Sequence, residues 1–290
     1  MKLAAAAYPL DVFPDWAAYE AKLSDWVAEA AGQGAALLVF PEYGAMELAS
    51  LGGEAICADL QSASRHISEL MGDVNALHLR LAAAHGVHIL GASGPVIEGV
   101  RIVNRAYLYA PNGRMGFQDK QVMTLWERDP WGVEGAGPLK VFETEIGTLA
   151  INICYDSEFP LQARAQRAAE LLLVPSATDA LEGYWRVRIG AMARALESQC
   201  VSVMSSIVGE YPLVEAVDVS WGMGGIFGPP DEGFPPTGVL AEGVMNQPGW
   251  TFAEVDLAAI RHVRQKGRVR NLAHWDEQSD DRSLETCDLR

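Results

Sequence analysis

A layered α/β sandwich built on a mixed sheet is the fold class this sequence predicts, and three observations carry it. Short apolar runs of strand length end at proline, at 37–40 before Pro41 and at 171–174 before Pro175. Stretches of helical period alternate with such runs. Hairpin turn signals interrupt the alternation, so the sheet cannot be purely parallel.

Taken in order, Met1-Lys2-Leu3 and four alanines begin like a signal peptide, but Pro9 and Asp11 end the apolar stretch too early, and a first strand is expected. Trp16, Tyr19, Leu23, Trp26, Val27 and Ala30 recur at helical spacing behind Asp15, a suitable N-cap, until Gly32 and Gly34 break the pattern. The run 36–40 reads as a strand buried on both faces that delivers Glu42 to its end. Ile67, Leu70, Met71, Val74, Leu77, Leu81 and Ala84 predict a second helix, closed by Gly86 before a strand over 87–90. Alternation over 101–109 followed by Pro111-Asn112-Gly113 predicts a hairpin leading toward Lys120. A second hairpin, 141–144 with 148–153, ends at Cys154.

Beyond it the pattern predicts a helix over 161–169, a strand over 171–174, a helix over 185–199 and a strand over 201–205. The segment 222–238 is dense in Gly and Pro and reads as loop with one strand; a strand over 250–255 and a helix over 257–263 follow. The two proline-stopped runs hint at pseudo-equivalent halves of one sheet system. No internal linker is evident, so one domain over 1–270 is expected, with a charged, nonperiodic tail over 271–290 that is docked on a partner subunit or disordered.

A chain of 290 residues, 49% hydrophobic and 21% charged, suits one large domain. Its 22 basic against 38 acidic side chains leave a formal charge of −16, which argues against nucleic acid and anionic membranes as partners. The longest apolar runs fall far short of the roughly 18 residues a membrane-spanning helix needs. Cys57, Cys154, Cys200 and Cys287 are scattered without disulfide or metal-ligand spacing, which fits a reducing cytoplasm and no metal. Gly222-Met223-Gly224-Gly225 lacks the third glycine of a dinucleotide fingerprint, and no phosphate-binding loop is present. His85 and His88 are separated by a helix-ending glycine and read as structural. Gly91-Ala92-Ser93-Gly94 has the wrong spacing for a serine nucleophile elbow.

Three reactive side chains stand just beyond expected strands: Glu42, Lys120 and Cys154. Taken singly, each reads as a solvated acid, a surface lysine and a buried thiol. Together they resemble the nitrilase superfamily of carbon-nitrogen hydrolases, whose members carry glutamate, lysine and cysteine in this order. Phe40-Pro41-Glu42-Tyr43 looks like the family's glutamate motif. The run from Gly147 through Ile151-Asn152-Ile153-Cys154-Tyr155-Asp156 to Phe159-Pro160 looks like its cysteine motif. Lys120-Gln121-Val122-Met123-Thr124-Leu125-Trp126-Glu127 resembles its lysine motif, with Glu127 as the second glutamate and Asp119 replacing the usual preceding aromatic. Val174-Pro175-Ser176-Ala177, and Arg188, Arg194 and Glu197 on the following helix, resemble later landmarks.

The resemblance implies a four-layer αββα sandwich with mixed sheets, a homodimer or higher homo-oligomer, and no cofactor. It implies hydrolysis of a small linear amide or carbamoyl compound, in preference to a nitrile, through a cysteine thioester. The residue types suit that chemistry: Cys154 as nucleophile, Glu42 as general base, then acid, and Lys120 as oxyanion cation. The Tyr155 backbone N–H is the expected second oxyanion donor, and Glu127 orients substrate or Lys120. Acyl transfer to an amine, and an idle binding protein, are the alternatives. Glu158 stands where relatives often carry arginine; facing the pocket it would favour neutral or amine-bearing substrates, and otherwise it would pair with Arg164 or Arg167. Trp126, Trp131 and Trp185 are either pocket walls or core.

Overall fold

The computed structural model describes residues 1–278 and 283–290. In chain order the first half comprises β1 (Lys2–Pro9), α1 (Trp16–Gly32), β2 (Ala35–Val39), a 3-10 segment Gly44–Gly52, α2 (Glu54–Cys57), α3 (Leu60–His85), β3 (His88–Leu90), β4 (Gly94–Glu98), β5 (Arg101–Tyr109) and β6 (Met115–Asp119). The second half comprises β7 (Val141–Thr144), β8 (Gly147–Ile151), a 3-10 turn Cys154–Glu158, α4 (Pro160–Ala165), β9 (Leu171–Ser176), α5 (Leu181–Ser198) and β10 (Val201–Glu210). It closes with β11 (Val219–Ser220), β12 (Gly225–Phe227), β13 (Val239–Glu242), β14 (Gly249–Glu254), α6 (Leu257–Lys266) and α7 (Asn271–His274).

The strands run β4-β5-β3-β2-β1-β10-β9-β8-β7, parallel from β3 through β8 and antiparallel at the hairpins. The sheet forks at β1. Lys2 to Ala7 pair with β14, whereas Ala7 to Pro9 pair with β10. That fork lets one sheet curl until its halves stack, and alternation along the strands shows the result. Ala4, Ala6, Tyr8, Leu38 and Ile89 pack with Leu23 and Val27 of α1 and Ile67 and Val74 of α3. Leu3, Ala5, Leu37, Val39 and Leu90 share a separate core with Ile151, Leu171, Val203 and, from α5, Tyr184, Val187 and Ala191. Helix, sheet, sheet, helix is the layer order, a four-layer αββα sandwich.

Local signals hold where side chains act directly on the backbone. Asp15 caps α1 by accepting from the Ala18 N–H, and Gly86 ends α3 in the left-handed conformation at φ 66°. Several expected boundaries shift: α5 begins at Leu181 rather than 185, β8 ends at Ile151 short of Cys154, and α6 runs on to Lys266. Helix α4 stops at Ala165, because Gln166 turns inward to accept from the Asn152 side chain at 2.7 Å. Pro175 continues β9 instead of ending it, lying opposite Ser205. Strand β10 runs to Glu210, its end held by antiparallel β11. In the tail, α7 packs on its own chain through Gln199, whose side chain accepts from the Leu272 N–H, and Arg164 pairs with Asp276. Residues 279–282 of the segment expected to dock on a partner or be disordered lie outside the described residues. Among the described residues no helix is long and apolar enough to cross a membrane.

Candidate active site

The C-terminal ends of β2, β8 and β9 converge on one side of the parallel region, where side chains can project past the last ladder bonds. Glu42 follows β2, Cys154 follows β8, Ala177 follows β9, and Lys120 follows β6. Cys154 sits at φ 49°, a left-handed conformation costing a non-glycine residue about 1–2 kcal/mol. The turn is pinned to hold it there. Ser157 Oγ donates to the Cys154 carbonyl at 2.7 Å, and Arg194 Nη1 on α5 donates to the Ser157 carbonyl at 3.0 Å. Gly190 admits that close approach, since a Cβ there would stand 2.8 Å from the Ser157 oxygen.

Four expected residues meet at this point. Lys120 Nζ donates to Glu42 Oε1 at 2.7 Å and to the two Glu127 oxygens at 2.8 and 2.7 Å. Glu42 Oε2 accepts from the Ala177 N–H at 3.1 Å, while Cys154 Sγ donates to the Ala177 carbonyl at 3.6 Å, so one backbone residue holds acid and thiol side by side. The Glu42 charge is also felt at the thiol. Glu127 is fixed in turn by the Tyr43 hydroxyl at 2.7 Å and by Thr124 through both N–H and hydroxyl.

Burial and charge set the protonation states. Burial drives Glu42 upward, Lys120 opposes it and Glu127 reinforces it, leaving a pKa of about 7. Burial, with the Glu42 charge, holds the Cys154 thiol well above an ordinary cysteine despite Lys120. Burial disfavours the Lys120 charge, but Glu42 and Glu127 outweigh it and keep the ammonium charged above the usual lysine range. Glu127 is also pushed up by burial, yet Lys120 and the fixed donors bring it below the usual glutamate value. The resting cluster therefore holds a neutral thiol, a carboxyl near its midpoint, a permanent cation and a permanent anion.

A cavity of about 410 Å³ opens onto this cluster. Tyr155 and Glu158 line it, as do Trp126 and Trp131, but Trp185 does not. Glu158 takes neither Arg164 nor Arg167 as its partner: Arg186 stands beside it at 3.7 Å, while Arg164 is engaged by Asp276 and stacked over Trp275. Asp119, in place of the expected aromatic, is buried and bound by Arg105 through two hydrogen bonds, at 2.6 and 3.0 Å. Arg188 pairs with Glu242 and does not line the cavity, and Glu197 braces Arg194. Among the described residues, no group of three or more His, Cys, Asp or Glu side chains is arranged to hold a metal ion.

Two supporting residues escape the sequence reading. Asn104, on β5, donates to Glu42 Oε1 at 2.9 Å. Asp156 accepts from the N–H groups of Gln121 and Val122, tying the cysteine turn to the lysine loop. Asn104 is the one amide in the otherwise apolar and aromatic 102–109 run apart from Arg105, and an amide in a strand interior was its available signal.

Geometry and comparison agree on the class of protein. The carbon-nitrogen hydrolase family matches residues 2–229, and the chain belongs to that family. It is 37% identical over 236 residues to the probable hydrolase YhcX of Bacillus subtilis, a match covering 81% of this chain and 45% of that protein, so it corresponds to less than half of that relative's length. It is 24% identical over 251 residues to the omega-amidase NIT2 of Danio rerio, covering 83% of each. A solved structure of an amidase from Nesterenkonia AN1, of the nitrilase superfamily, aligns with a TM-score of 0.66 and 25% identity over 92% of this chain and 95% of that one.

Proposed function

We propose that this chain hydrolyses a small linear amide through a thioester on Cys154, releasing ammonia or an amine. The observation that carries this reading is the joint anchoring of the Cys154 thiol and the Glu42 carboxylate on Ala177, with Lys120 bridging Glu42 and Glu127. Because the thiol resists ionisation, it needs a proton acceptor at the moment of attack, and a carboxylate with a pKa of about 7 is matched to that task. Glu42 takes the thiol proton as sulfur bonds to the carbonyl carbon. It returns that proton to the departing nitrogen as the carbon–nitrogen bond breaks. It then takes a proton from water as hydroxide adds to the thioester, and passes that proton to the sulfur as the carbon–sulfur bond breaks, releasing the acid and restoring the Cys154 thiol and the Glu42 carboxylate.

Lys120 faces the developing oxyanion as a fixed cation, and the Tyr155 N–H, next to the nucleophile, is the second donor; losing one such donor typically costs about 2.7–4 kcal/mol of barrier stabilisation. Glu127 acts as a positioning residue that keeps Lys120 charged and in place. The relatives named above support amide chemistry: one is an omega-amidase and another an amidase. Ammonia release from a panel of primary amides, carbamoyl compounds and nitriles tests this reading, with amides the expected substrates and no activity on any of them its refutation.

Two broader expectations belong to the same reading. Cys57, Cys154 and Cys200 are buried free thiols and Cys287 is an exposed one, which supports a reducing compartment, the cytoplasm. Trp185, Ile189 and Leu196 expose apolar surface along α5, a surface suited to a second copy of the chain in a homodimer.

A further inference from the structure

The charges lining the cavity are distributed in two zones. In the inner zone Lys120 is saturated by Glu42 and Glu127, so its positive charge is not available to a distant substrate group. In the outer zone Glu158, Asp179, Glu215 and Asp218 share the lining with Arg186, the one cation there among the described residues. Arg186 is largely exposed, and its Nε lies 3.7 Å from Glu158, beyond hydrogen-bond distance. Asp179, Glu215 and Asp218 form no ion pair among the described residues. A carboxylate entering this mouth meets repulsion with no unopposed cation, whereas a cation meets a field reinforced by the formal charge of −16.

Glu158 separates this zone from a merely acidic surface. It ends the same 3-10 turn that Cys154 begins, and both residues line the same cavity. Its side chain is 22% exposed, and it accepts no hydrogen bond among the described residues. The same cavity has aromatic lining: Tyr155, packed on Phe159, and Trp126 against Trp131 with centroids 5.5 Å apart. Aromatic faces beside a carboxylate suit an alkyl chain ending in a cationic nitrogen.

Resting on the amide-hydrolase reading of this site, we propose that the substrate is an amide whose acyl chain carries an ammonium or guanidinium group, recognised by Glu158 within the acidic mouth. Binding the cation places the amide carbonyl at Cys154 and leaves the other acids to attract substrate at longer range.

The test compares three primary amides of matched length: δ-aminovaleramide, hexanamide and adipamate. The expected kcat/KM order is ammonium, then methyl, then carboxylate, with δ-aminovaleramide ahead of hexanamide by about tenfold, the worth of one charge-assisted hydrogen bond. Glu158→Gln should narrow that ratio severalfold, chiefly through KM, and added salt should narrow it as well. Calorimetric binding of the same amides to Cys154→Ala reads charge preference without turnover. Hydrolysis of hexanamide with no ammonium preference, or a preference that Glu158→Gln leaves intact, overturns this inference while the amide-hydrolase reading stands. Preferential binding of δ-aminovaleramide to Cys154→Ala with no amide turned over by the parent enzyme supports the cation site and overturns the hydrolase reading instead. Equal binding of all three overturns the inference.

Discussion

Asn104 donates its side-chain N–H at 2.9 Å to the same Glu42 oxygen that receives the Lys120 ammonium at 2.7 Å. The amide is oriented from behind, since Ser93 Oγ donates to Asn104 Oδ1 and in turn accepts from the Tyr43 N–H. Donors aimed at a carboxylate favour its charged form, so Asn104 restrains the upward push that burial exerts on Glu42.

The pH dependence follows from that balance. In the proposed mechanism Glu42 is the base and works as a carboxylate, so kcat/KM should rise with pH through about 7. Asn104→Ala removes a donor to the charged form, raises the Glu42 pKa and moves this acid limb upward by about one pH unit, the equivalent of one hydrogen bond. A pH–rate profile with an unmoved limb would contradict the assignment of Glu42 as base.

Lys120 is sealed between two carboxylates. Lys120→Met leaves both without their cation and should lower stability by about 3–5 kcal/mol as well as abolish turnover. Lys120→Met combined with Glu127→Gln should recover part of the stability and none of the activity. Urea unfolding beside ammonia-release assays separates the two effects; recovered activity in the double variant would remove Lys120 from the chemistry.

Arg194 acts through the turn it holds. Arg194→Ala deletes the donor to the Ser157 carbonyl and the partner of Glu197, which should relax the left-handed backbone at Cys154. Removing a buried charged donor typically costs about 1.5–3 kcal/mol. Loss in kcat exceeding any change in KM is the expected signature, since the substrate contacts remain. An unchanged kcat would show that the turn keeps its geometry without α5.

How much of this was legible beforehand depends on how local each cause is. Asp15 and Gly86 act on neighbouring N–H and C=O groups, so the limits of their helices follow from short stretches of sequence. The motif words around Glu42, Lys120 and Cys154 marked the reactive residues, yet no local pattern says that Ala177 lies against two of them, because that contact spans 135 residues from Glu42 and 23 from Cys154. Gln166 shows the same limit in a helix: its inward turn toward Asn152 and the Lys140 carbonyl ends α4 where residue preferences alone would continue it. Glu158 left two readings open, and its neighbour proved to be Arg186 of α5, brought there by the packing of that helix on the cysteine turn.

The exposed α5 stripe makes a separate prediction about assembly. Ile189 is 64% exposed, one helical turn after Trp185 and two before Leu196. Placing a charge there, as Ile189→Asp, should shift the proposed dimer toward monomer in sedimentation velocity by opposing burial of an apolar face. A sedimentation coefficient unaffected by the substitution would place the interface elsewhere.

The central claim is that Cys154 carries the acyl group, and the most direct measurement is intact mass followed by peptide mapping of enzyme quenched during turnover of an activated acyl ester. The account predicts one acyl mass on the peptide containing Cys154 and none on Cys154→Ala. Acyl groups on another residue, or amide hydrolysis at the parent rate by Cys154→Ala, would contradict it.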